Sequence, residues 1–415
     1  MTDLTRGIAE MRRTCLFLSS HFPPPMIGGS LVFYHYLLSG CSDRDVLVLT
    51  QRKPGAEGFD RSVSYGVFRS RVVRDDTEPR LGRMVWFLLT VPWLLMGIVR
   101  WRASVVHVGS WKMVVPTWLA CRLSGRKLVI TIHGEELTTD SDAMRGIPFR
   151  LLWRVYDHLA RGALRGADLV HTNSRFTEKV LLDRGVRQDR IRVMNPGIDL
   201  EKAQGPARID AVIEARLAGK RVLLTVGRLQ ARKGQDMVLQ ALPELLEDYP
   251  DLHYVMAGGA DPRAQQKYQD LVDGLGVGDS ATILPNLNNA SIAWLYDRCE
   301  VFAMTNRTMP NGDTEGYGIV FIEAGAHGKP VIGGRAGGAV EAVDDGSTGI
   351  LVDGYHVEDI RRAVRLLLDD RELAGRMGEA GRRKAGESSW PRKSLEYRRL
   401  IRELAATRRR QTSRR

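Results

Sequence analysis

The sequence predicts an α/β protein built from two doubly wound domains, each with a parallel sheet between layers of helices. Short β-rich runs alternate with longer helical patterns along the chain, and the alternation restarts after about residue 200. The length of 415 residues suits about two to three domains. The predicted strands lie at 14–19, 45–50, 105–108, 127–132 and 169–172, and then at 221–226, 253–257, 281–284, 300–304 and 330–332.

The predicted domain boundary lies in a segment rich in turn residues, Asn-Pro-Gly-Ile-Asp at 195–199. We therefore predict a first Rossmann-like domain at 1–199, a linker at 200–219 and a second Rossmann-like domain at 220–390. The last residues, 407–415, are expected to form a basic, disordered tail. Because open parallel sheets bind ligands beyond the carboxyl ends of their strands, the expected active site is a cleft between the two domains.

Composition places the chain among ordinary globular proteins, with 43% hydrophobic and 27% charged residues. This balance excludes collagen, coiled coils and wholly disordered chains. The four cysteines stand far apart without metal-ligand spacing, so no disulfide framework and no zinc site is predicted. No signal peptide and no transmembrane helix is predicted, because no apolar run is long enough for either. A cytoplasmic protein is therefore expected.

Positive charge is concentrated in two parts of the chain, whose formal net charge is +12. The segment 392–415 carries +8, and the segment 79–134 has eight basic residues and no acidic one. The second segment includes 16 uncharged residues at 84–99, with Pro92 in their middle. This pattern fits either a core helix flanked by solvated arginines or a surface for an anionic membrane. No nucleic-acid partner is predicted, because no nucleic-acid-binding motif is present.

Two loops of the first domain are candidates for ligand contacts. Gly28 and Gly29 open a helix after the first predicted strand, where backbone N–H groups can approach an anion. A tight turn would use the same two glycines. His133 follows the strand at 127–132, and its neutral imidazole could donate to a sugar hydroxyl or to charge on a leaving group. A buried structural histidine is the alternative interpretation.

A third loop begins where the predicted strand at 221–226 ends. Gly227 follows that strand, and the cations Arg228 and Lys233 come directly after it. Arginine supplies paired donors and lysine a point charge, a combination suited to a diphosphate. A solvated basic loop is the alternative. The Asp-Ser-Asp triplet at 140–142 resembles a cation-binding motif but lies away from a predicted strand end, so no metal site is predicted.

The fourth loop has the most specific pattern. Glu315 and Glu323 are separated by seven residues, and Gly316 and Gly318 precede an apolar helical run that starts at Ile319. We expect N–H groups at this helix start to face a phosphate, and Glu323 to lie about two turns beyond Glu315 on one helix face. Paired carboxylates also suit acid/base hydrolysis of glycosides, which requires one raised pKa.

In this order, the four loops resemble the retaining glycosyltransferases of family 4, which have the GT-B fold. The end of the chain resembles the last helix of that family, which crosses back onto the first domain and is expected here at 391–406. The similarity covers nearly the whole chain, and its most specific stretches are NPGID (195–199), VGRLQARKG (226–234), MAGGADP (256–262), EGYGIVFIEA (315–324) and GKPVIGG (328–334).

The resemblance implies roles for the candidate residues. In the first domain, Gly28 and Gly29 would approach the donor diphosphate or the acceptor, and His133 would contact the transferred sugar. In the second domain, Arg228 and Lys233, beside Gly227, would neutralise the diphosphate leaving group. The family then needs no metal ion and no other cofactor.

The same resemblance assigns the fourth loop to the donor. Glu315 would contact hydroxyls of the donor sugar, and Glu323 would hold the ribose of the nucleotide. The backbone of Tyr317, Gly318 and Ile319 would hold sugar or phosphate oxygens. The implied mechanism is front-face transfer with retention, in which the leaving phosphate helps to deprotonate the incoming hydroxyl.

The expected partners are a nucleotide-sugar donor and a glycan or lipid-linked acceptor. The sequence of residues 315–324 is most similar to that of family 4 branches that use GDP-mannose as the donor. A UDP-sugar is the alternative donor. Since 79–127 lies in the acceptor domain, we expect peripheral association with the anionic inner face of the membrane. A sugar-nucleotide epimerase, a phosphorylase and a scaffold with an inactive site are the competing classes. The complete set of site residues argues against the scaffold, and the lack of a pyridoxal-lysine motif argues against a phosphorylase.

Overall fold

The structure, a computed structural model, describes residues 13–24, 29–73, 80–134, 147–203, 205, 207–259 and 261–407. Internal contacts divide the chain into two compact units. The N-terminal unit comprises Met1–Asn173, Thr177–Met194 and Trp390–Arg415, and the C-terminal unit comprises Ser174–Phe176 and Asn195–Ser389. The contacts thus assign 195–219 to the C-terminal unit, whereas the sequence analysis ended the first domain at 199 and placed a linker at 200–219.

A parallel sheet forms the centre of the N-terminal unit. Within the described residues its strands are β1 (Cys15–Leu18), β2 (Val46–Gln51), β3 (Gly66–Ser70), β4 (Val105–Val108), β5 (Lys127–Ile132), β6 (Leu169–Thr172) and β7 (Ile191–Val193). They lie in the order β3-β2-β1-β4-β5-β6-β7. Cys15 aligns with Val46 on one side and with Val105 on the other. Strands β1 and β4 are buried throughout, as expected when helices cover both faces of a parallel sheet.

A second parallel sheet forms the centre of the C-terminal unit. Within the described residues its strands are β8 (Arg221–Val226), β9 (Leu252–Ala257), β10 (Ala281–Leu284), β11 (Val301–Met304), β12 (Val331–Gly334) and β13 (Gly349–Val352). They lie in the order β10-β9-β8-β11-β12-β13. The strand order reverses at β8, so the loops after β8 and β11 flank the point where such sheets bind ligands.

Helices connect the strands of both sheets. Several begin at side-chain caps: Asp261 accepts from the N–H groups of Arg263 and Ala264, and Asn288 accepts from that of Ser291. The described helices are α1 (Gly29–Leu38), α2 (Glu57–Ser62), α3 (Arg80–Arg100), α4 (Val114–Ser124), α5 (Ile147–Gly166), α6 (Arg175–Asp183), α7 (Leu200–Ala203), α8 (Ala211–Leu217), α9 (Gln235–Asp248), α10 (Pro262–Gly274), α11 (Asn289–Arg298), α12 (Ile319–Ala326), α13 (Ala339–Ala342), α14 (Val357–Asp369), α15 (Arg371–Glu387) and α16 (Trp390–Ala406).

The prediction of two doubly wound parallel α/β domains is confirmed. Alternation along β1 explains the layers, because Phe17 faces a core with α1 and α16 while Leu16 and Leu18 face a core with α3 and α4. Sequence analysis missed β3, β7 and β13. No residue of β3 is fully buried, and β7 has only three residues. Sequence analysis also ended β12 too early, at 332. Gly334 continues this strand at a position where a Cβ atom would lie only 1.7 Å from the carbonyl oxygen of Asn306.

Helix α3 contains the uncharged segment 84–99 and continues through Pro92. Leu94 and Ile98 are fully buried in the core of the N-terminal unit. Met96 and Val99, in contrast, are 64% and 72% exposed. One side of this helix is therefore a core surface, and another side presents apolar groups to solvent. No helix in the described part of the chain has the length and hydropathy to cross a membrane.

The last helix, α16, packs on the N-terminal unit. The hydroxyl of Ser394 donates to the carbonyl of Leu37 at 2.7 Å. Arg398 and Arg402 form ion pairs of 2.9 and 2.7 Å with Asp45, whose side chain is only 2% exposed. Burial opposes the charge on Asp45, but hydrogen bonds from Ser42 and the two arginines outweigh it and lower its pKa. Buried charge pairing thus anchors this helix to the first sheet.

Candidate active site

The loop after β5 places His133 beside helix α1. Nε2 of His133 lies 3.0 Å from the hydroxyl of Tyr34, and that hydroxyl donates to the carbonyl of Gly109 at 2.6 Å. Phe33 meets the imidazole edge-on, with ring centroids 5.0 Å apart. Glycine is required at 109, because a Cβ atom there would lie 2.7 Å from the Tyr34 ring. The aromatic residues of α1 therefore fix the orientation of His133.

These contacts define which nitrogen of His133 carries the proton. Since the Tyr34 proton is directed at Gly109, the Tyr34 oxygen accepts from Nε2–H of His133. In the neutral imidazole, Nδ1 is then the acceptor. The neutral ring then has its acceptor at Nδ1 and can donate from Nδ1 only when it is protonated, whereas the sequence analysis expected the neutral ring to donate to a ligand.

A buried network of neutral groups lies within the sheet behind this loop. His107 bonds the hydroxyl of Tyr397 through Nδ1 and that of Thr131 through Nε2, each at 2.6 Å. Thr131 also bonds Nδ1 of His171 at 3.0 Å. Burial lowers the pKa of His107 well below its usual range and that of His171 to about 3, and neighbouring histidines add to both shifts. Both rings are therefore neutral at pH 7 and link α16 to β4, β5 and β6.

The loop after β8 carries Lys233 into the interior of the C-terminal unit. Lys233 ends a short 3-10 turn, and Gly234 then starts α9 with a φ of +80°. A Cβ atom on Gly234 would lie 2.2 Å from the carbonyl oxygen of Thr305. Gly227 has a φ of +150°, and its own Cβ atom would lie 3.0 Å from Cδ of Lys233. The two glycines thus provide the turn and the space that the lysine needs.

Lys233 belongs to a nearly enclosed charge cluster. Its Nζ and Nη1 of Arg232 both lie 2.8 Å from Oε2 of Glu315. The three side chains are only 11%, 7% and 14% exposed. Burial opposes the charge on Glu315, but Lys233 and Arg232 outweigh it and lower its pKa to about 2. Glu315 is therefore ionised at neutral pH, which argues against a role as the general acid of a glycoside hydrolase.

Arg232 is the cation that sequence analysis missed. Arg228, which was predicted beside Lys233, is exposed, whereas Arg232 is 6% exposed and shares the Glu315 carboxylate with Lys233. Asp313 lies 3.6 Å from Nε of Arg232 and adds a second acidic group to the cluster. The positions of Arg228 and Arg232 could not be distinguished from composition, because both belong to the same basic loop.

The predicted helix face shared by the two glutamates is wrong. Helix α12 starts at Ile319, so Glu315 precedes it in a loop, and only Glu323 is helical. Gly318 adopts a φ of +87° at the helix start, where a Cβ atom would lie 2.7 Å from the Phe321 ring. This left-handed glycine turns the chain between the two carboxylates. Each glutamate consequently has different partners, and they do not form a pair on one face.

The start of α12 is where the sequence analysis expects backbone N–H groups to face a phosphate. Tyr317 is 5% exposed, and Gly318 and Ile319 follow it at the helix start. The N–H groups of a first helical turn have no partner within the helix, and the helix dipole favours an anion there. Glu323, one turn further on, accepts a hydrogen bond of 2.9 Å from the hydroxyl of Tyr296. Sequence analysis did not identify Tyr296.

Some predicted features lie outside the described residues. Gly28 and the triplet at 140–142 are among them, and of the Gly-Gly motif only Gly29 is described, as the first residue of α1. Among the described residues, no group of three or more His, Cys, Asp or Glu side chains could hold a metal ion. The described polar groups instead suit an anion, since two buried cations and a helix start lie in the same unit.

The amino-acid sequence matches the profiles of two known protein families. The profile described as Glycosyltransferase Family 4 matches residues 27–202, and the profile described as Glycosyl transferases group 1 matches residues 209–384. The first match lies in the N-terminal half with His133, and the second includes Lys233, Glu315 and Glu323. The two matches therefore cover the described strands other than β1 and the loops described above.

Several characterised proteins are similar to the chain. A GDP-mannose-dependent alpha-(1-6)-phosphatidylinositol monomannoside mannosyltransferase of Mycolicibacterium smegmatis is 30% identical over 391 residues, which cover 88% of this chain and 92% of the relative. The protein of the same name from Mycobacterium tuberculosis is 34% identical over 63% of this chain and 66% of its own length. A D-inositol 3-phosphate glycosyltransferase of Geodermatophilus obscurus is 33% identical over 70% of this chain and 64% of its own length.

Solved structures share the fold. Anabaena HepE in complex with UDP and glucose has a TM-score of 0.73 and 18% identity, covering 94% of this chain and all of HepE. Sucrose-phosphate synthase from Thermosynechococcus elongatus has a TM-score of 0.73 and 22% identity, covering 95% of this chain and all of the synthase. With two matching profiles, a relative of 30% identity along most of its length and two Rossmann-like units, the chain belongs to glycosyltransferase family 4 and has the GT-B fold.

Proposed function

We propose that this glycosyltransferase is a retaining mannosyltransferase, which moves mannose from GDP-mannose to a hydroxyl of a lipid-linked or saccharide acceptor without a metal ion. The observation that carries the proposal is the enclosed cluster in which Lys233 and Arg232 share one carboxylate of Glu315. These two buried cations share one buried carboxylate, and the diphosphate of a donor would supply further negative charge to them. The choice of mannose rests on the relatives that are named GDP-mannose-dependent.

The proposed reaction exchanges one bond at the anomeric carbon. The bond between that carbon and the β-phosphate oxygen breaks, and a bond to the acceptor oxygen forms on the same face. The acceptor proton passes to the departing phosphate oxygen. Lys233 and Arg232 stabilise the charge that develops on the diphosphate, a contribution that grows along the reaction.

The other residues would hold the donor. Glu315 would accept from hydroxyls of the sugar, and Glu323 would accept from the ribose. His133 would contact the transferred sugar. Backbone groups of Tyr317, Gly318 and Ile319 would bind oxygens at the start of α12, and Gly227 would allow the diphosphate to approach Lys233. Arg228 would add a further positive charge at the solvent side.

A thermal-shift panel of GDP, UDP, GDP-mannose, UDP-glucose and UDP-N-acetylglucosamine, with a chelator present, tests the donor. A ligand at 100 times its Kd stabilises the folded protein by about 2.7 kcal/mol. We expect stabilisation by GDP and GDP-mannose. A shift with the UDP ligands alone would replace the proposal with its alternative, a UDP-sugar-dependent glucosyl or N-acetylglucosaminyl transferase acting on a small-molecule or polysaccharide acceptor. For retention, the anomeric configuration of the product is measured by NMR.

We also propose that the acceptor is presented at an anionic membrane face. The exposed side chains Leu89, Met96 and Val99 of α3 and Leu123 of α4 are apolar, and α3 packs against α4. The exposed Arg100, Arg102 and Arg122 lie on the same two helices or next to them. Apolar groups inserted at the interface and basic groups near lipid headgroups act together in peripheral binding.

Sedimentation with vesicles tests this surface. The wild type should sediment with vesicles containing anionic phospholipid at low salt and less at high salt. The double variant Met96→Glu/Val99→Glu should lose this binding, whereas Leu366→Glu, at a position 47% exposed on α14, should retain it. Equal sedimentation of all three proteins, or full activity on a purely soluble acceptor, would contradict the membrane proposal.

A further inference from the structure

A buried tyrosine contacts the carboxylate that is proposed to hold the ribose. Tyr296 lies on α11, is 2% exposed, and donates its hydroxyl to Oε2 of Glu323 on α12 at 2.9 Å. The same hydroxyl lies 3.5 Å from the carbonyl oxygen of Val320, one turn earlier in α12. The hydroxyl therefore reaches from one helix to the carboxylate of a half-buried glutamate on another.

The tyrosine ring itself is held rigidly. The imidazole of His327 stacks on it, with ring centroids 5.2 Å apart and an interplanar angle of 20°. Phe302 of β11 packs against it at 5.8 Å. His327 is held in turn by Asp297, whose Oδ1 lies 2.6 Å from Nδ1. Because both rings have fixed partners, the Tyr296 hydroxyl has little freedom to leave Glu323.

This contact engages one oxygen of the Glu323 carboxylate. An ionised carboxylate offers about four lone-pair sites, so a single tyrosine donor does not exhaust them. Burial, followed by the charge of Glu323, raises the pKa of Tyr296 well above its usual range, so that the hydroxyl remains a donor at every pH where the protein works. A ribose presents two neighbouring hydroxyls, and accepting from both requires a carboxylate plane with a fixed rotation.

We propose that Tyr296 is a positioning residue for nucleotide recognition, which fixes the rotation of the Glu323 carboxylate so that it can accept from the ribose hydroxyls. This inference rests on the proposed function, because that function gives Glu323 its ligand. Tyr296 itself touches neither the sugar nor the diphosphate in this account. Its effect should therefore appear in donor binding and in KM, and only weakly in kcat.

Calorimetric titration of two nucleotide pairs tests the inference. The probes are GDP with 2′,3′-dideoxy-GDP, and UDP with 2′,3′-dideoxy-UDP. For the pair that the wild type binds, removal of both hydroxyls should weaken binding. Tyr296→Phe should weaken binding of the ribonucleotide roughly tenfold, the scale of one hydrogen bond to a charged group, and should leave the dideoxy form nearly unchanged. Tyr254→Phe, at a fully buried tyrosine whose hydroxyl is 2.8 Å from Thr225, is the matched control and should change neither.

Glu323→Gln separates the inference from the function on which it rests. If Glu323→Gln still distinguishes ribose from dideoxyribose as the wild type does, then Glu323 is not the ribose contact and the proposed role of Glu323 fails. If Glu323→Gln loses the distinction while Tyr296→Phe keeps it, only the role of Tyr296 is overturned. Failure of the wild type to bind either nucleotide would overturn both. A parallel urea titration identifies any variant that is unfolded, and Tyr296→His then replaces Tyr296→Phe.

Discussion

The two units bury polar groups at their sheets in opposite ways. In the N-terminal unit, His107, Thr131 and His171 form a chain of neutral groups that ends on Tyr397 of α16. In the C-terminal unit, Lys233 and Glu315 are both ionised and enclosed together with Arg232. The first arrangement leaves Nε2 of His171 buried without a hydrogen-bond partner among the described residues. Only the second arrangement contains charged groups, which could exchange a protein partner for a charged ligand.

This difference suggests that the two units have different roles in the reaction. A neutral, fully buried network is suited to rigidity, because no ion must be desolvated to keep it in place. The network lies directly beneath the loop that holds His133. A buried charge cluster is costly unless each charge has a partner, and under the proposed function a donor diphosphate would give its cations a further partner. We therefore assign orientation of the acceptor side to the first arrangement and binding of the leaving group to the second.

Removal of the buried lysine should have the largest effect. Lys233→Met should lower the rate of mannosyl transfer roughly a hundredfold or more, because one preorganised charge contact to the leaving group is lost. Arg228→Met, at the exposed position, should have a smaller effect. Single-turnover assays with GDP-mannose and a membrane-lipid extract measure both, and Lys267→Met, at an exposed lysine of α10, is the control. A Lys233→Met variant with wild-type turnover would show that the cluster has no catalytic role.

Acid should destabilise the two units in different pH windows. The imidazole of His171 has an ordinary pKa of 6.5 and a folded pKa of about 3, so the unfolded state binds more protons between these values. Stability of the N-terminal unit should therefore fall as pH drops below about 6.5. For Glu315, the ordinary pKa is 4.5 and the folded pKa about 2, so its contribution, up to about 3 kcal/mol, should be lost only between those values.

Hydrogen exchange followed by mass spectrometry, from pH 7 to pH 3.5 and corrected for intrinsic exchange rates, separates these windows. Peptides from β5 and β6 should lose protection first, and those from β8 and β11 later. Glu315→Gln should be less stable than the wild type at pH 7, and the difference should shrink towards pH 3. If both units lost protection at the same pH, the predicted difference in acid sensitivity between the neutral network and the charge cluster would be wrong.

A smaller effect is expected at the glycine that makes room for the lysine. Gly227→Ala places a Cβ atom 3.0 Å from Cδ of Lys233 and strains a φ of +150°. The affinity for GDP should fall roughly tenfold, because shifting the ammonium group weakens its contact with the diphosphate. Gly274→Ala, where a Cβ atom meets nothing within 4 Å, should bind GDP like the wild type. If both variants bound GDP with unchanged affinity, the Lys233 side chain would not need the space that glycine leaves at position 227.

The last prediction concerns helix α16, where the expected effect is on stability and not on ligand binding. Tyr397→Phe removes the 2.6 Å hydrogen bond to His107 and should lower the free energy of unfolding by about 1–3 kcal/mol, without changing the affinity for GDP. Urea unfolding measures the change. Tyr355→Phe, at a tyrosine that is 50% exposed, should shift stability by less than about 0.5 kcal/mol. A similar stability of both variants would mean that the neutral network does not anchor α16.

Much of the fold could be predicted from sequence, because buried parallel strands are continuous apolar runs. The strands at 127–132 and 221–226 occur with the predicted bounds. Lys233 was predicted because a glycine at a strand end and a nearby cation are local signals. Arg232, Tyr34 and Tyr296 were missed, because their importance comes from residues that are 83, 99 and 27 positions away in the chain.

Other predictions were wrong where one local sequence pattern is compatible with two different structures. Glu315 and Glu323 are eight positions apart, which is compatible with one helix face, but Gly318 adopts a left-handed conformation and starts the helix after Glu315. His107 and His171 were read only as strand residues. Nothing in the local sequence signals that their rings meet Thr131, because that contact requires the strand order β4-β5-β6.

The central claim is that the Lys233 cluster binds the diphosphate of the donor. Calorimetric affinities of GDP and GMP, with UDP and UMP in parallel, test it most directly when measured in chelator for the wild type and for Lys233→Met. The account predicts that the wild type prefers the diphosphate by about tenfold or more and that Lys233→Met loses most of this preference, since the lost contact is charge-assisted. An equal preference in the two proteins would contradict the claim.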